Sequence, residues 1–574
     1  MMETEIVETG ADKSIADLGF CKLNFIGKDK IEALRKLYTD QLTDEKVDGM
    51  MVSHNRGDYR RNLFISEAIN DILEDELAEH FPNHRFFVAH FIVKEAGNNN
   101  SFQLHQDWNI VDEGKYSSYQ LWLPLQFSYP ENGGMFFIPR SQHFSNALRS
   151  GSFGIPRVPI TPEIYPNLSY TRLHPGQAVV FSNNVLHGSF SNATPENRLS
   201  VLVNIVHKDA PTIYYHMNEG QQQTEIYPLD ARGLFQHLPE LEKGINPFTV
   251  LPEAVLPLTK QNNEAISLQN IFDWIVKDRA ALDLPVDYEF KQNQILKDES
   301  IERKLNQNGY AVINLLTEHE TAELMQGVER YFPDRNKFTG RYSSMDQQDS
   351  VMRKEIHNYI QSIINERLQL FFKDYYCPIS IYYCKRADGV KDLDWHTDPH
   401  FMLNQHLEPF YAVWCPLMDV NERNGVLQVA AGSHRILNSL VHIGRKWPFK
   451  EHRDILEKYH TTFNLKAGQA IVFDARLVHT STTNVSDKER VCVVMRITHK
   501  NSDFFSVTTR ENGTLGEMYS QNQDYFYCDS VVDHLNQAPV TGINTGNYYF
   551  FDEKVSPEAI AEKLSKHVSN TQPQ

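Results

Sequence analysis

The sequence predicts a mainly β architecture: two jelly-roll-like barrels in tandem, each flanked by helices. Three observations carry that expectation. The 574-residue chain exceeds one ordinary core, since domains usually run to about 100–200 residues and β barrels to about 250. The text of residues 19–208 recurs at 309–500, at an offset that stays between 290 and 292 throughout. Within each copy, helical periodicity comes first and short Val- and Leu-rich runs follow, separated by Gly, Pro and Asn. Helices ahead of many short strands suit a sandwich or barrel with helices laid on it.

The elements follow in order. Gly19–Asn24 precedes a helical pattern with Ile31, Leu34, Leu37 and Leu42 on one face. Gly309–Asn314 repeats that opening, and the helix after it has Thr317 and Glu320 spaced as a capping box, with Leu324, Val328 and Tyr331 inward. Further on, Trp122–Leu125 matches Trp414–Leu417, Asn132 and Gly133 match Asn424 and Gly425, and Gly176–Phe181 matches Gly468–Phe473. Ala178–Phe181 and Leu199–Ile205 read as strands. The expected organisation is a first domain over 1–245, a connector over 246–300, a second domain over 301–550 and a C-terminal helix or tail over 551–574. The connector is polar and irregular except for an amphipathic piece at Ile271–Ile275, which predicts packing on one of the domains.

Composition narrows the function classes. Apolar residues at 41% suffice for packed cores, and the net charge of −18 comes without a basic stripe, which disfavours nucleic acid as a partner. The acidic N-terminus lacks an apolar targeting core and no stretch reaches 18 apolar residues, so neither secretion nor membrane spanning is expected. The six cysteines form no CxxC pair and read as reduced thiols of a cytoplasmic protein.

The chemistry lies in residues that recur at fixed spacing. His105 and Asp107 are followed by His187 after 82 residues, and His396 and Asp398 by His479 after 83. Residues two apart on a strand project from one face, so a His-x-Asp pair can reach one metal, and a distal His completes two imidazoles and a carboxylate. That donor set is the facial triad of non-heme iron(II) oxygenases. Arg198 and Arg490 each lie 11 residues past the distal His, where a guanidinium can grip a carboxylate through paired hydrogen bonds. Ser189 and Ser481 are placed to add a hydroxyl to that grip. A single His-x-Asp pair is a weak signal, and a lone distal His or strand Arg is more often a core or ion-pair residue. Four such elements in order, twice over, are a strong one.

At these residues each copy resembles the phytanoyl-CoA dioxygenase family. The resemblance rests on Leu104–Asp107, Trp122–Leu125, Asn132–Ser141, Pro175–Phe181 and His187 and Ser189 with Arg198. In the second copy it rests on Trp395–Asp398, Asn424–Leu427, Gly432–His434, Gly468–Phe473 and His479 and Ser481 with Arg490. It implies a double-stranded β-helix (jelly-roll or cupin-like) fold and an Fe(II)- and 2-oxoglutarate-dependent dioxygenase that uses O2, with ascorbate as a stimulant. It also implies iron held by the two His/Asp/His sets, 2-oxoglutarate anchored by Arg198 with Ser189 and Arg490 with Ser481, and Trp122, Trp414, Lys94 and Lys385 near the cosubstrate. Pro139–His143 and Ala431–His434 depart from the family's usual Pro-Gly-Ser-His, in a loop read as structural. Because both ligand carboxylates are present, hydroxylation or a related oxidation is expected in preference to halogenation.

The expected reaction is oxidation of a small metabolite with release of succinate and CO2, in successive steps if both copies turn over, as in specialised metabolism. The alternatives are one catalytic copy with the other a scaffold, or a metal-binding jelly roll without turnover. The N-terminal helices and loops such as Tyr116–Tyr119 and Asn404–Phe410, which differ between copies, are the expected choosers of substrate.

Overall fold

The computed structural model describes residues 10–55, 58–98, 101–154, 157–161, 163–257, 266–391, 393–437, 440–441, 447, 449–510, 514–528, 538–539, 541–550 and 555–568. The chain divides into two compact units, residues 1–290 and 291–574. The expected connector 246–300 is shared between them. Ile271 and Ile275, on the helix Leu268–Ala281, are buried against Leu104, Phe136 and Leu186 of the first unit. Ile295 and Leu296 enter the core of the second.

In the first unit a six-stranded antiparallel sheet runs in the order Phe20–Asn24, Gln177–Ser182, Ser118–Pro124, Arg198–His207, His84–Lys94 and Met50–Val52. A smaller sheet of Phe102–His105, His187–Ser189, Met135–Phe137 and Ser169–Tyr170 faces it. Phe137 of the small sheet stacks on Phe20 with ring centroids 4.5 Å apart and meets Phe181 of the large sheet at 5.3 Å. Two antiparallel sheets closed face to face in this way form the jelly roll.

The strand Arg198–His207 shows how sequence period becomes architecture. Val201, Val203 and Ile205 enter a core with Leu34, Ile65, Ile69 and Leu73 from the helices Lys28–Leu42 and Tyr59–His80. Arg198, Leu202 and Asn204, on the alternate positions, line the barrel interior. One face therefore holds the fold together while the other is free for chemistry.

The second unit repeats the plan. Its large sheet runs Tyr310–Asn314, Gln469–Asp474, Phe410–Pro416, Arg490–His499, Tyr375–Lys385 and Arg341–Ser343. Its helix Glu318–Tyr331 starts with the expected capping box, in which the Thr317 hydroxyl accepts from the Glu320 N–H and the Glu320 carboxylate accepts from the Thr317 N–H. The small sheet is shorter. Strands Thr461–Thr462, Leu427–Val429 and His479–Ser481 pair, and His396 joins only by an isolated bridge to His479. Each unit also carries a separate three-stranded antiparallel sheet, and the second has the helix Pro557–Val568. Among the described residues no helix is long and apolar enough to cross a membrane.

Candidate metal and cosubstrate centres

In each unit the small sheet brings the first and distal histidines together. His105 pairs with His187 across two strands, and His396 bridges His479, with imidazole centroids 4.3 Å apart in both. One ligand atom from each of His105, Asp107 and His187 lies within 4.8 Å of the others, and the same holds for His396, Asp398 and His479. The Nε2 atoms of His105 and His187 lie 3.5 Å from the two oxygens of Asp107.

All four imidazoles are oriented by the same local contact. Nδ1 of His105, His187, His396 and His479 lies 2.7–3.0 Å from the carbonyl of Gln103, Val185, Asp394 and Leu477, two residues earlier. A carbonyl only accepts, so Nδ1 carries the proton and the Nε2 lone pair faces inward, as a metal ligand requires. Burial pushes His187 and His479 down to about 4, so both are neutral donors at physiological pH. For Asp107 burial acts upward, but the two imidazoles and Arg149 outweigh it and leave the carboxyl below the usual range.

The loop read as structural positions the distal histidines. Ser141 accepts the N–H of Leu186 at 2.7 Å, and Ser433 accepts that of Val478 at 2.8 Å. In each copy this fixes the residue immediately before the ligand.

Behind the His/Asp/His cluster two cations are cross-strand neighbours: Lys94 is paired in register with Arg198, and Lys385 with Arg490. All four residues are at most 2% exposed. Lys94 Nζ donates to Ser189 Oγ at 2.8 Å and Lys385 Nζ to Ser481 Oγ at 2.7 Å, so each serine is seated on the lysine and not on the arginine. The Arg198 guanidinium lies 5.0 Å from the Trp122 ring and donates to Ser200 Oγ, and that of Arg490 lies 5.2 Å from Trp414 and donates to Cys492 Sγ. Among the described residues neither guanidinium has a carboxylate partner, and Nε of each is buried without a hydrogen bond. Gly133 makes room for the first pair, because a Cβ there would lie 2.6 Å from Lys94 Cδ.

Like charges directly opposite on a sheet repel, and a buried unpaired charge is strongly unfavourable. The Lys94 amine accordingly sits at about 6, held down by burial and then by Arg198, against 10.5 for a free lysine. With the folded pKa below the unfolded one, the unfolded chain binds more protons between those values. Ligand-free stability contributed by this group therefore rises with pH from about 6 to 10.5. Replacing Lys94 by Met is expected to flatten that rise by up to about 1.4 kcal/mol per pH unit, read from melting curves of wild type and variant from pH 6 to 9. Identical slopes would show that the amine keeps its charge in the fold.

A cavity of about 700 Å3 opens over the first centre. Its wall includes Phe87, Trp108, Phe235 and Leu238, with His54, His90 and Asn204 as polar groups. His54 and His90 touch at 4.2 Å between centroids, and burial holds both well below the usual imidazole range, so they are neutral. The lining differs from the loops expected to choose substrate. Tyr116 packs against the cluster around Val111 and Tyr119 against the helix-side core, while Asn404 and Leu407 are buried within the second unit. The wall comes instead from Met50–Asn55, Gly151 and the helix Ala231–Glu242. His207 and His499 end their strands, and His400, beside Asp398, accepts the Val441 N–H through Nδ1.

Two residues not singled out from sequence touch the ligand carboxylates. Gln120 Nε2 donates to Asp107 Oδ2. Arg496 Nη2 lies 2.8 Å from Asp398 Oδ1. The available signal was a paired difference between copies at inward strand positions, Gln120 against Ala412 and Asn204 against Arg496.

Fold and donor set together define the double-stranded β-helix class, with a His/Asp/His donor set able to hold a metal in each of the two units. The chain belongs to the phytanoyl-CoA dioxygenase (PhyH) family, which matches it over residues 29–200 and again over 305–492, and with it to the Fe(II)/2-oxoglutarate dioxygenases. No curated protein sequence matches it. Among solved structures it is similar to the non-heme α-ketoglutarate-dependent carbocyclase SnoK from nogalamycin biosynthesis, at 17% identity and a TM-score of 0.28 over 36% of this chain and 86% of that one. It is also similar to HygX from Streptomyces hygroscopicus, solved with nickel, 2-oxoglutarate and hygromycin B, at 13% identity and a TM-score of 0.26 over 35% of this chain and 88% of that one.

Proposed function

We propose that both centres hold iron(II) and 2-oxoglutarate, and that the chain oxidises a small, largely neutral molecule in the cavity of the first copy, releasing succinate and CO2. The observation that carries this reading is the pair of buried basic side chains, Lys94 and Arg198, without an anion and next to two imidazoles and a carboxylate. A ligand with a carboxylate at each end matches both needs, one end chelating metal and the other neutralising the cations. Iron(II) with 2-oxoglutarate supplies the O2-activating chemistry, in which the cosubstrate is decarboxylated as the substrate is oxidised.

The chain's own residues orient and shield. His105, Asp107 and His187 would hold the metal through two imidazole nitrogens and a carboxylate oxygen. Arg198, braced on the Trp122 ring, would grip the distal carboxylate, and Lys94 would take up a proton as that charge arrives. The apolar wall excludes water, and the neutral His54 and His90 offer hydrogen bonds to hydroxyl or carbonyl groups without selecting for charge. With Asp107 and Asp398 in place, the donor sets favour oxygenation over halogenation.

Anaerobic iron(II) with 2-oxoglutarate is expected to give the full chain a weak visible charge-transfer band, and O2 should then release succinate. Absence of both, or O2 uptake that needs no 2-oxoglutarate, would refute the reading.

A further inference from the structure

The two centres share ligands but not the charge beside them. In the first, Asp107 accepts from the neutral Gln120 amide, and Gln120 pairs across the sheet with neutral Asn204. Arg149 lies nearby, donating to the Asp107 carbonyl at 2.6 Å, but both oxygens of Glu113 are within 2.7 Å of its Nη2 and balance its charge. In the second centre the corresponding cross-strand pair is Ala412 and Arg496. The short Ala412 leaves the space that Gln120 fills in the first copy, and the Arg496 guanidinium reaches Asp398 Oδ1 at 2.8 Å. Asp398 Oδ2 stays buried without a hydrogen-bond partner, within the cluster that His396 and His479 complete. His400 accepts through Nδ1 and is therefore uncharged. The donor set with its contacts thus carries about −1 in the first centre and about zero in the second.

From this we infer that the second centre is a weaker metal site than the first, with Arg496 as the positioning residue that sets the difference. The inference rests on the reading of both centres as metal sites. A dication entering the second centre meets a guanidinium already paired with its only anionic ligand. Both groups are largely removed from solvent, so water screens this repulsion little. The unpartnered Asp398 oxygen keeps a ligand available, so the site is weakened and not abolished. The chain would then fill its first centre at metal concentrations that leave the second empty. Turnover in the second copy would depend on metal supply, or on 2-oxoglutarate adding negative charge.

Titrating the metal-free full chain with Mn(II) alone, by calorimetry under nitrogen, tests this. Wild type is expected to show two classes of site about tenfold or more apart, the tighter lost in His187→Ala and the weaker in His479→Ala. Arg496→Gln should tighten the weaker class toward the first, whereas Arg496→Lys, which keeps the charge, should leave it weak. Gln120→Ala combined with Asn204→Arg, which rebuilds the second copy's cross-strand pair in the first, should weaken the first class by a similar factor, so the test survives if an Arg496 variant fails to fold. Equal affinities in wild type, or the same affinity for Arg496→Gln and Arg496→Lys, would overturn the inference while leaving two metal sites standing. No Mn(II) binding at either centre would overturn it together with the reading on which it rests.

Discussion

Asp107→Ala is expected to remove metal from the first centre and silence that copy, while the second centre keeps whatever metal it binds in wild type. Losing only an outer contact of a metal ligand lowers affinity by about 10–100-fold, so losing the sole anionic ligand should exceed about 100-fold and turnover should fall at least as far. Burial holds His187 at about 4, so it is neutral, and in both remaining imidazoles Nδ1 is spent on a backbone carbonyl, leaving only Nε2 to face the metal. Nothing left in the donor set offsets the charge of a dication. Asp398→Ala makes the matched test in the second copy. Succinate formation and bound metal, measured on both variants and the double variant, separate the contribution of each copy. If Asp107→Ala keeps more than about a tenth of the 2-oxoglutarate turnover, the first centre is not the principal catalyst.

How much of this was legible in the sequence follows from what each feature depends on. The candidate ligands were readable because their spacing recurs in both copies, although not for the strand reason expected: His105 ends its strand and Asp107 lies just beyond it, Asp398 lies in no strand, and the distal His opens a strand at a constant distance from Arg198 and Arg490. The tandem repeat supplied an internal control that a single domain lacks. The environment of the ligands was less readable. That Gln120 reaches Asp107, and that Arg496 reaches Asp398, depends on cross-strand register and on the space left by residue 412, neither of which the letters display. Ser189 and Ser481 were expected beside the arginines, yet they sit on Lys94 and Lys385, because the lysines come across the sheet on the adjacent strand. The lining of the first cavity was less readable for a related reason. Variation between copies at Tyr116–Tyr119 reflects core packing of aromatic rings, whereas the cavity is closed by Phe235 and Leu238 from a helix that follows the barrel in sequence.

Arg198→Leu is expected to cost the first copy its cosubstrate while sparing its metal. A buried charge pair broken on one side typically costs about 2–5 kcal/mol, so the KM for 2-oxoglutarate should rise by about 30- to 1000-fold or more. The leucine keeps apolar bulk against Trp122, so a lost carboxylate contact and not a collapsed pocket would account for the effect. Two further readouts separate cosubstrate binding from a structural role. In the ligand-free protein the guanidinium is an uncompensated buried cation facing Lys94, so its removal should leave the melting temperature unchanged or raised. Arg198→Lys retains a charge but not the two-pronged geometry, and should fall between wild type and Arg198→Leu. An unchanged KM in Arg198→Leu, with metal still bound, would mean that the anion these cations await is something other than 2-oxoglutarate.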